Sequence, residues 1–262
     1  MSTMQMDAQP SAELMERIRR ENTPPLKRRM MRRVRSAVST IPALYIPLRR
    51  RRRPESVIVP ETEFLLEGYP RCGNTWALMA LRHAATRPVE MAHHSHAAAH
   101  VIYGLQRSIP TLVLYRAPDA AVRSLLAMNA RNMTALDAYR EYVLFYETVL
   151  KQPLDKLAFA SFEDVTQRIE RVVIFLRDRF GLPLAPFDAE DPEEKAAVFA
   201  LMDARAVELR GSDAVSRSNP NHYDVEQIAL KRHADEQIAA LADHPLRKRA
   251  QEIFADLTSD IT

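Results

Sequence analysis

Glu63-Phe-Leu-Leu-Glu-Gly-Tyr-Pro-Arg-Cys-Gly-Asn-Thr-Trp76 decides how this chain is read. Its apolar run, residues 64–66, predicts a buried strand. Gly68, Pro70 and Gly73 predict a turn, and an apolar helix follows from Thr75 or Trp76 to about residue 87, stopped by Pro88. A strand, a tight turn and a first helical turn leave backbone N–H groups converging on one spot. The helix dipole adds positive potential there, so the element suits an anion.

The spacing narrows the anion. Gly68 and Gly73 stand where G-x-x-x-x-G-K-[ST] places its glycines, and Thr75 stands at its hydroxyl position, but Asn74 replaces the lysine. A nucleoside-triphosphate loop without that lysine lacks the cation on its terminal phosphates. Here the cation is Arg71, whose fork matches a tetrahedral anion. On the glycines alone an ordinary strand-to-helix turn fits as well.

Outward from this loop, short apolar runs at residues 89–92, 111–115 and 157–161 read as further strands. Helices are expected over 97–108, 118–131, 165–180 and, from a Thr134–Asp137 capping box, to about 151. Strands alternating with helices predict an α/β fold, a parallel β-sheet flanked by helices, with ligands at the strands' carboxyl ends. Beyond Pro183 only helices are expected, from Asp191 to about 210, over 224–241 and over 246–257, with a polar loop at 211–221.

Composition bounds the rest. The 262 residues are 47% hydrophobic and 27% charged, ordinary for a globular protein. A single cysteine, Cys72, excludes an intrachain disulfide and a cysteine-built zinc site and fits a reducing, cytoplasmic compartment. The net charge of +3 conceals +13 over residues 17–53, leaving −7 for residues 54–262. Residues 1–53 therefore read as a basic N-terminal extension, partly disordered, with short helices over 11–21 and 27–39. The apolar stretch 41–48 is too short to span a bilayer, and five arginines follow it. Such an arm fits an anionic membrane surface, with the protein peripheral at the inner face, better than nucleic acid. Residues 54–262 read as the folded domain.

A second signal follows strand 111–115. Arg116 ends it, Pro118 opens a helix, and Ser124 lies about two turns in, so a charge and a hydroxyl adjoin for a second phosphate. At this point the chain resembles a family. Tyr69–Trp76, Leu112–Ser124 and Phe159–Val165 are similar, in order, to three segments of sulfotransferases that use 3′-phosphoadenosine 5′-phosphosulfate (PAPS). The resemblance implies a P-loop-like core and a cofactor site made of Arg71, Cys72, Gly73, Asn74, Thr75 and Trp76 at the 5′-phosphosulfate. It implies that Trp76 stacks on adenine and that Arg116 and Ser124 hold the 3′-phosphate. Phe162 stands where the family has a tyrosine, and Arg71 where most cytosolic members have lysine, so Arg71 is assigned charge stabilisation rather than proton donation. The family's C-terminal Arg-Lys-Gly segment has no clean counterpart; Arg210-Gly211 and Arg217 are the substitutes.

Transfer to a hydroxyl or amine also needs a base. Four of the eight histidines crowd into His93-His-Ser-His-Ala-Ala-Ala-His100, where family members commonly place a catalytic histidine. Spacing to Arg116 favours His94, with His96 as runner-up; a metal at His96 and His100 is the rival reading. No metal is required in the family. The acceptor is unspecified, and the arm fits a carbohydrate or glycolipid near a membrane. A nucleotide-dependent kinase and a non-catalytic protein acting through its basic arm are the alternatives.

Overall fold

The computed structural model describes residues 9–129, 131–188, 190–211 and 225–259. Four strands, β1 (Phe64–Gly68), β2 (Met91–His93), β3 (Thr111–Tyr115) and β4 (Leu157–Ser161), form one parallel sheet in the order β2-β1-β3-β4. Every residue of β1 and β3 is buried, as continuous apolar runs in a covered sheet require. From β1 the chain moves to β2 on one side and then crosses to β3 on the other. The carboxyl ends of β1 and β3 therefore flank the point where winding reverses, the place where open α/β sheets bind ligands.

The helices, in chain order, are α1 (Ala12–Glu21), α2 (Leu26–Val38), α3 (Pro42–Arg52), α4 (Asn74–Ala84), α5 (Ala98–Leu105), α6 (Pro118–Asn129), α7 (Ala135–Leu150), α8 (Phe162–Gln167), α9 (Ile169–Phe180), α10 (Pro192–Arg210), α11 (Val225–Ala239) and α12 (Pro245–Ser259). The expected helix over 165–180 is two, parted at Arg168, whose φ of −140° leaves the helical region. Strand β2 starts two residues later than expected. The capping box at Thr134 and Asp137 forms.

The described part of the basic arm carries three helices where two were expected, α3 being the addition. Its α2 docks on α7 through ion pairs, Arg29 with Asp137 at 3.0 Å and Arg32 with Glu141 at 2.6 Å. Its α3 packs on the segment after β2, where the Tyr45 hydroxyl bonds the Ser95 carbonyl at 2.9 Å.

Buried tyrosines of α7 fix the strand ends. Tyr142 donates to the Arg116 carbonyl at 2.9 Å and Tyr146 to the Leu114 carbonyl at 2.8 Å. Tyr69, in the loop after β1, stacks edge-on against Tyr142 and donates to the Ala138 carbonyl. Each buried hydroxyl thus has a partner, and both loops of interest are tied to one helix.

Candidate active site

A cleft of about 1140 Å³ opens over the carboxyl ends of β1 and β3. Among the described residues its wall carries nine Lys or Arg side chains and no Asp or Glu. Helices α2 and α3 contribute Arg32 and Arg49, so the arm forms part of the site. Low-dielectric walls of one sign focus an attractive field on anions.

The loop from Gly68 to Gly73 is built as a backbone cradle. Gly73 precedes α4 with φ +89°, and no side chain caps that helix, leaving first-turn N–H groups for a ligand. A Cβ on Gly73 would lie 3.0 Å from Val165 Cγ2. Arg71 also has positive φ, +73°, a conformation costly for a non-glycine residue and most often found where geometry serves a site. Its Nε donates to Ser124 Oγ at 2.9 Å. Arg116 donates to the Arg71 carbonyl at 3.1 Å, and its guanidinium lies 3.7 Å from the Phe162 ring centroid. These contacts bring Arg71, Arg116 and Ser124 together in one cluster.

The third sequence segment now has a structural role. Ser161 and Asp164 form a capping box that starts α8. This places Phe162 against Arg116 and Val165 against Gly73.

Other expected residues are placed as follows. Thr75 and Trp76 line the cleft, but Trp76 is nearly buried and its ring packs 5.0 Å from that of Phe199. Asn74 is buried and donates to the Tyr69 carbonyl at 3.2 Å. Asn74 Oδ1 and Trp76 Nε1 are buried without a hydrogen-bond partner. Cys72 turns inward to the Tyr146 hydroxyl, and burial pushes its thiol up to about 12, so only its backbone faces the loop. Arg217 lies outside the described residues, as does the side chain of Arg210.

The histidine segment is held by Glu67 of β1, a residue the sequence reading passed over. Its fully buried carboxylate accepts from Ser95 N at 2.9 Å, His96 N at 2.8 Å and His100 Nδ1 at 2.8 Å. Burial opposes ionisation, but the His100 bond and these donors outweigh it, and the carboxyl stays below its usual range. His100 Nε2 accepts from Ile58 N, which fixes its proton on Nδ1. The signal available was an acidic residue inside an otherwise apolar strand.

So held, His94 and His96 adopt φ of +56° and +53°. Both ring nitrogens of His94 meet protein groups, Thr75 Oγ1 at 3.1 Å and His93 Nδ1 at 3.0 Å. His96 Nδ1 lies 2.8 Å from the Gly68 carbonyl, which only accepts, so Nδ1 carries the proton and Nε2 is the basic nitrogen. Burial first, and then the neighbouring cations Arg205 and Arg82, lowers the pKa of His93 to about 3. Burial also lowers that of His96 below the ordinary value, although the Glu67 charge and the Gly68 bond oppose it. Burial also takes His94 well down, with His96 next in weight. The imidazoles are neutral at neutral pH.

No family model matches the chain, and no curated protein matches its sequence. Among solved structures, the mouse sulfotransferase SULT7A1 complexed with PAP is similar at 13% identity and a TM-score of 0.43, over 77% of this chain and 91% of that one.

Proposed function

We propose that the chain is a sulfotransferase that binds PAPS in this cleft and passes its sulfuryl group to a hydroxyl or amine of an acceptor, a carbohydrate or glycolipid. The observation that carries the reading is the cluster of Arg71, Arg116 and Ser124 in a cationic cleft with no carboxylate among its described lining residues, on the residues that resemble sulfotransferase motifs. The fit extends to the cradle, where the α4 N-terminus has no side-chain cap and Asn74 Oδ1 and Trp76 Nε1 lack partners. A cleft of about 1140 Å³ has room for a nucleotide bisphosphate and an acceptor together.

Bound there, PAPS supplies an activated sulfuryl group. The N-terminus of α4 and the Arg71 guanidinium hold negative charge at the loop, worth most where water is excluded. Arg116, stacked on Phe162, and Ser124 hold the second phosphate, and Trp76 with Phe199 forms the apolar wall for the base. His96, rather than the His94 favoured by spacing, takes the acceptor's proton at Nε2. Its Nδ1–H bond to Gly68 stabilises the resulting imidazolium. Glu67, bonded to the His96 amide, fixes that ring's position. His94 orients Thr75.

The test is thermal stabilisation by 3′,5′-ADP, by ATP with Mg²⁺ and by buffer alone, followed by transfer of labelled sulfate from PAPS to an acceptor panel. Stabilisation by 3′,5′-ADP supports the proposal. Stabilisation by ATP with Mg²⁺ alone assigns a kinase, and stabilisation by neither assigns a protein working through its basic arm.

A further inference from the structure

Helix α2 is amphipathic, yet it is mounted with its polar side inward. Arg28 donates to the Arg131 carbonyl and to Asn132, Arg29 pairs with Asp137, and Arg32 makes a forked pair with Glu141, which also accepts from Ser36. No residue of α2 is buried. Leu26, Met30 and Val34, four residues apart and hence on one face, are 70%, 58% and 58% exposed. On the next helix, Leu44 and Leu48 of α3, also four residues apart, are about half exposed. Half of the described chain's exposed large apolar side chains fall within residues 26–48. Exposed apolar side chains gathered in this way mark an interaction site.

What covers it is indicated by charge. Residues 22–54 contain 11 Lys or Arg and no acidic residue, and Lys27, Arg33, Arg35, Arg50, Arg51 and Arg52 stand exposed beside the apolar side chains. Against α3 lies a second open groove of about 670 Å³, where Ile41, Ile46, Pro47 and Tyr103 meet Arg50 and Arg51. Apolar walls with two guanidiniums suit an amphiphile with an anionic head. No helix among the described residues is long and apolar enough to cross a bilayer, so the contact is with its surface.

We infer that α2 and α3 form a docking surface for an anionic lipid bilayer, with Leu26, Met30, Val34, Leu44 and Leu48 entering the interface and the flanking arginines meeting headgroups. The inference is independent of the reaction proposed above. Because α2 and α3 also supply Arg32 and Arg49 to the cleft, the active site lies beside the docked face.

The experiment is co-sedimentation of the full chain with vesicles of phosphatidylcholine alone and with added phosphatidylserine, at low and high salt. Two variants, Met30→Asn/Val34→Asn and Arg50→Gln/Arg51→Gln, accompany the parent. Both change exposed side chains, and thermal melting with fluorescence of the single tryptophan, Trp76, verifies their fold. The parent is expected to bind only the phosphatidylserine vesicles, less at high salt, and each variant to partition roughly tenfold less or weaker. No binding, or binding unchanged in Met30→Asn/Val34→Asn, overturns the inference. So does a concentration-dependent dimer that lacks vesicle affinity and is abolished by that variant, which would assign the face to a second copy. Preferential capture of a DNA duplex, indifferent to the apolar substitutions, overturns it as well.

Discussion

Arg71 Nε donates to Ser124 Oγ at 2.9 Å, which joins the cation of the loop after β1 to a hydroxyl on the helix after β3. The two residues therefore act on a bound anion as a unit. Arg71→Ala is expected to abolish measurable transfer, and Ser124→Ala to weaken 3′,5′-ADP binding about 10- to 150-fold, the range for one hydrogen bond to a charged phosphate. In a double-mutant cycle the paired change costs less than the sum of the single ones. Strict additivity of the binding energies argues against a shared site.

The histidines separate by their partners. His96 has its proton fixed on Nδ1 by the Gly68 carbonyl, so His96→Ala should lower kcat by about 10²- to 10⁴-fold while 3′,5′-ADP binding holds. His94 touches Thr75, so His94→Ala should act mainly on nucleotide affinity. A lowered His96 pKa keeps the base form at pH values where an ordinary histidine is protonated. The acid limb of kcat against pH should therefore fall below about 6.5. A limb above that value, or an intact kcat in His96→Ala, contradicts the assignment.

Stability should fall in acid through His93. Burial holds its folded pKa at about 3, against about 6.5 in the unfolded chain. Above 6.5 both states are neutral; between 6.5 and 3 only the unfolded chain takes the proton. Folding stability then declines by up to about 1.4 kcal/mol per pH unit from this residue. His94 and His96 are depressed by the same cause and act in the same direction. Urea denaturation at pH 7 and pH 5 measures the loss, and His93→Gln should flatten it.

Two glycines give a contrast in backbone strain. A Cβ at Gly68 would sit 2.6 Å from the Leu114 carbonyl oxygen, part of the neighbouring strand, so Gly68→Ala should cost about 3 kcal/mol or more. At Gly181 nothing lies within 4 Å, and only its φ of +66° opposes a side chain, so Gly181→Ala should cost about 1 kcal/mol. Equal losses in urea midpoints contradict this geometry.

Much of this was legible from residue order because it depends on near neighbours. The strands at 111–115 and 157–161, the Thr134 capping box and the Gly68–Gly73 turn need only local pattern. Other features depend on residues far along the chain. Nothing near Arg29 and Arg32 announces that Asp137 and Glu141 will receive them and turn α2's apolar face outward. The choice between His94 and His96 turns on Glu67, some 28 residues earlier, which draws the segment into left-handed geometry and points His96 Nδ1 at Gly68. Spacing to Arg116 carries no such information. Cys72 faces inward because Tyr146 of α7 lies behind the loop, a packing relation no motif encodes.

In the proposed function, one cationic cluster grips a nucleotide carrying anions at both its 3′ and 5′ positions. Titration calorimetry of 3′,5′-ADP into the parent and Arg116→Ala, with 5′-AMP as the control ligand, tests it most directly. The parent should prefer 3′,5′-ADP, and Arg116→Ala should lose about 10- to 100-fold in affinity for it, with little change for 5′-AMP. Equal affinity of the parent for the two nucleotides, or an Arg116→Ala variant that binds 3′,5′-ADP as tightly as the parent, would contradict it.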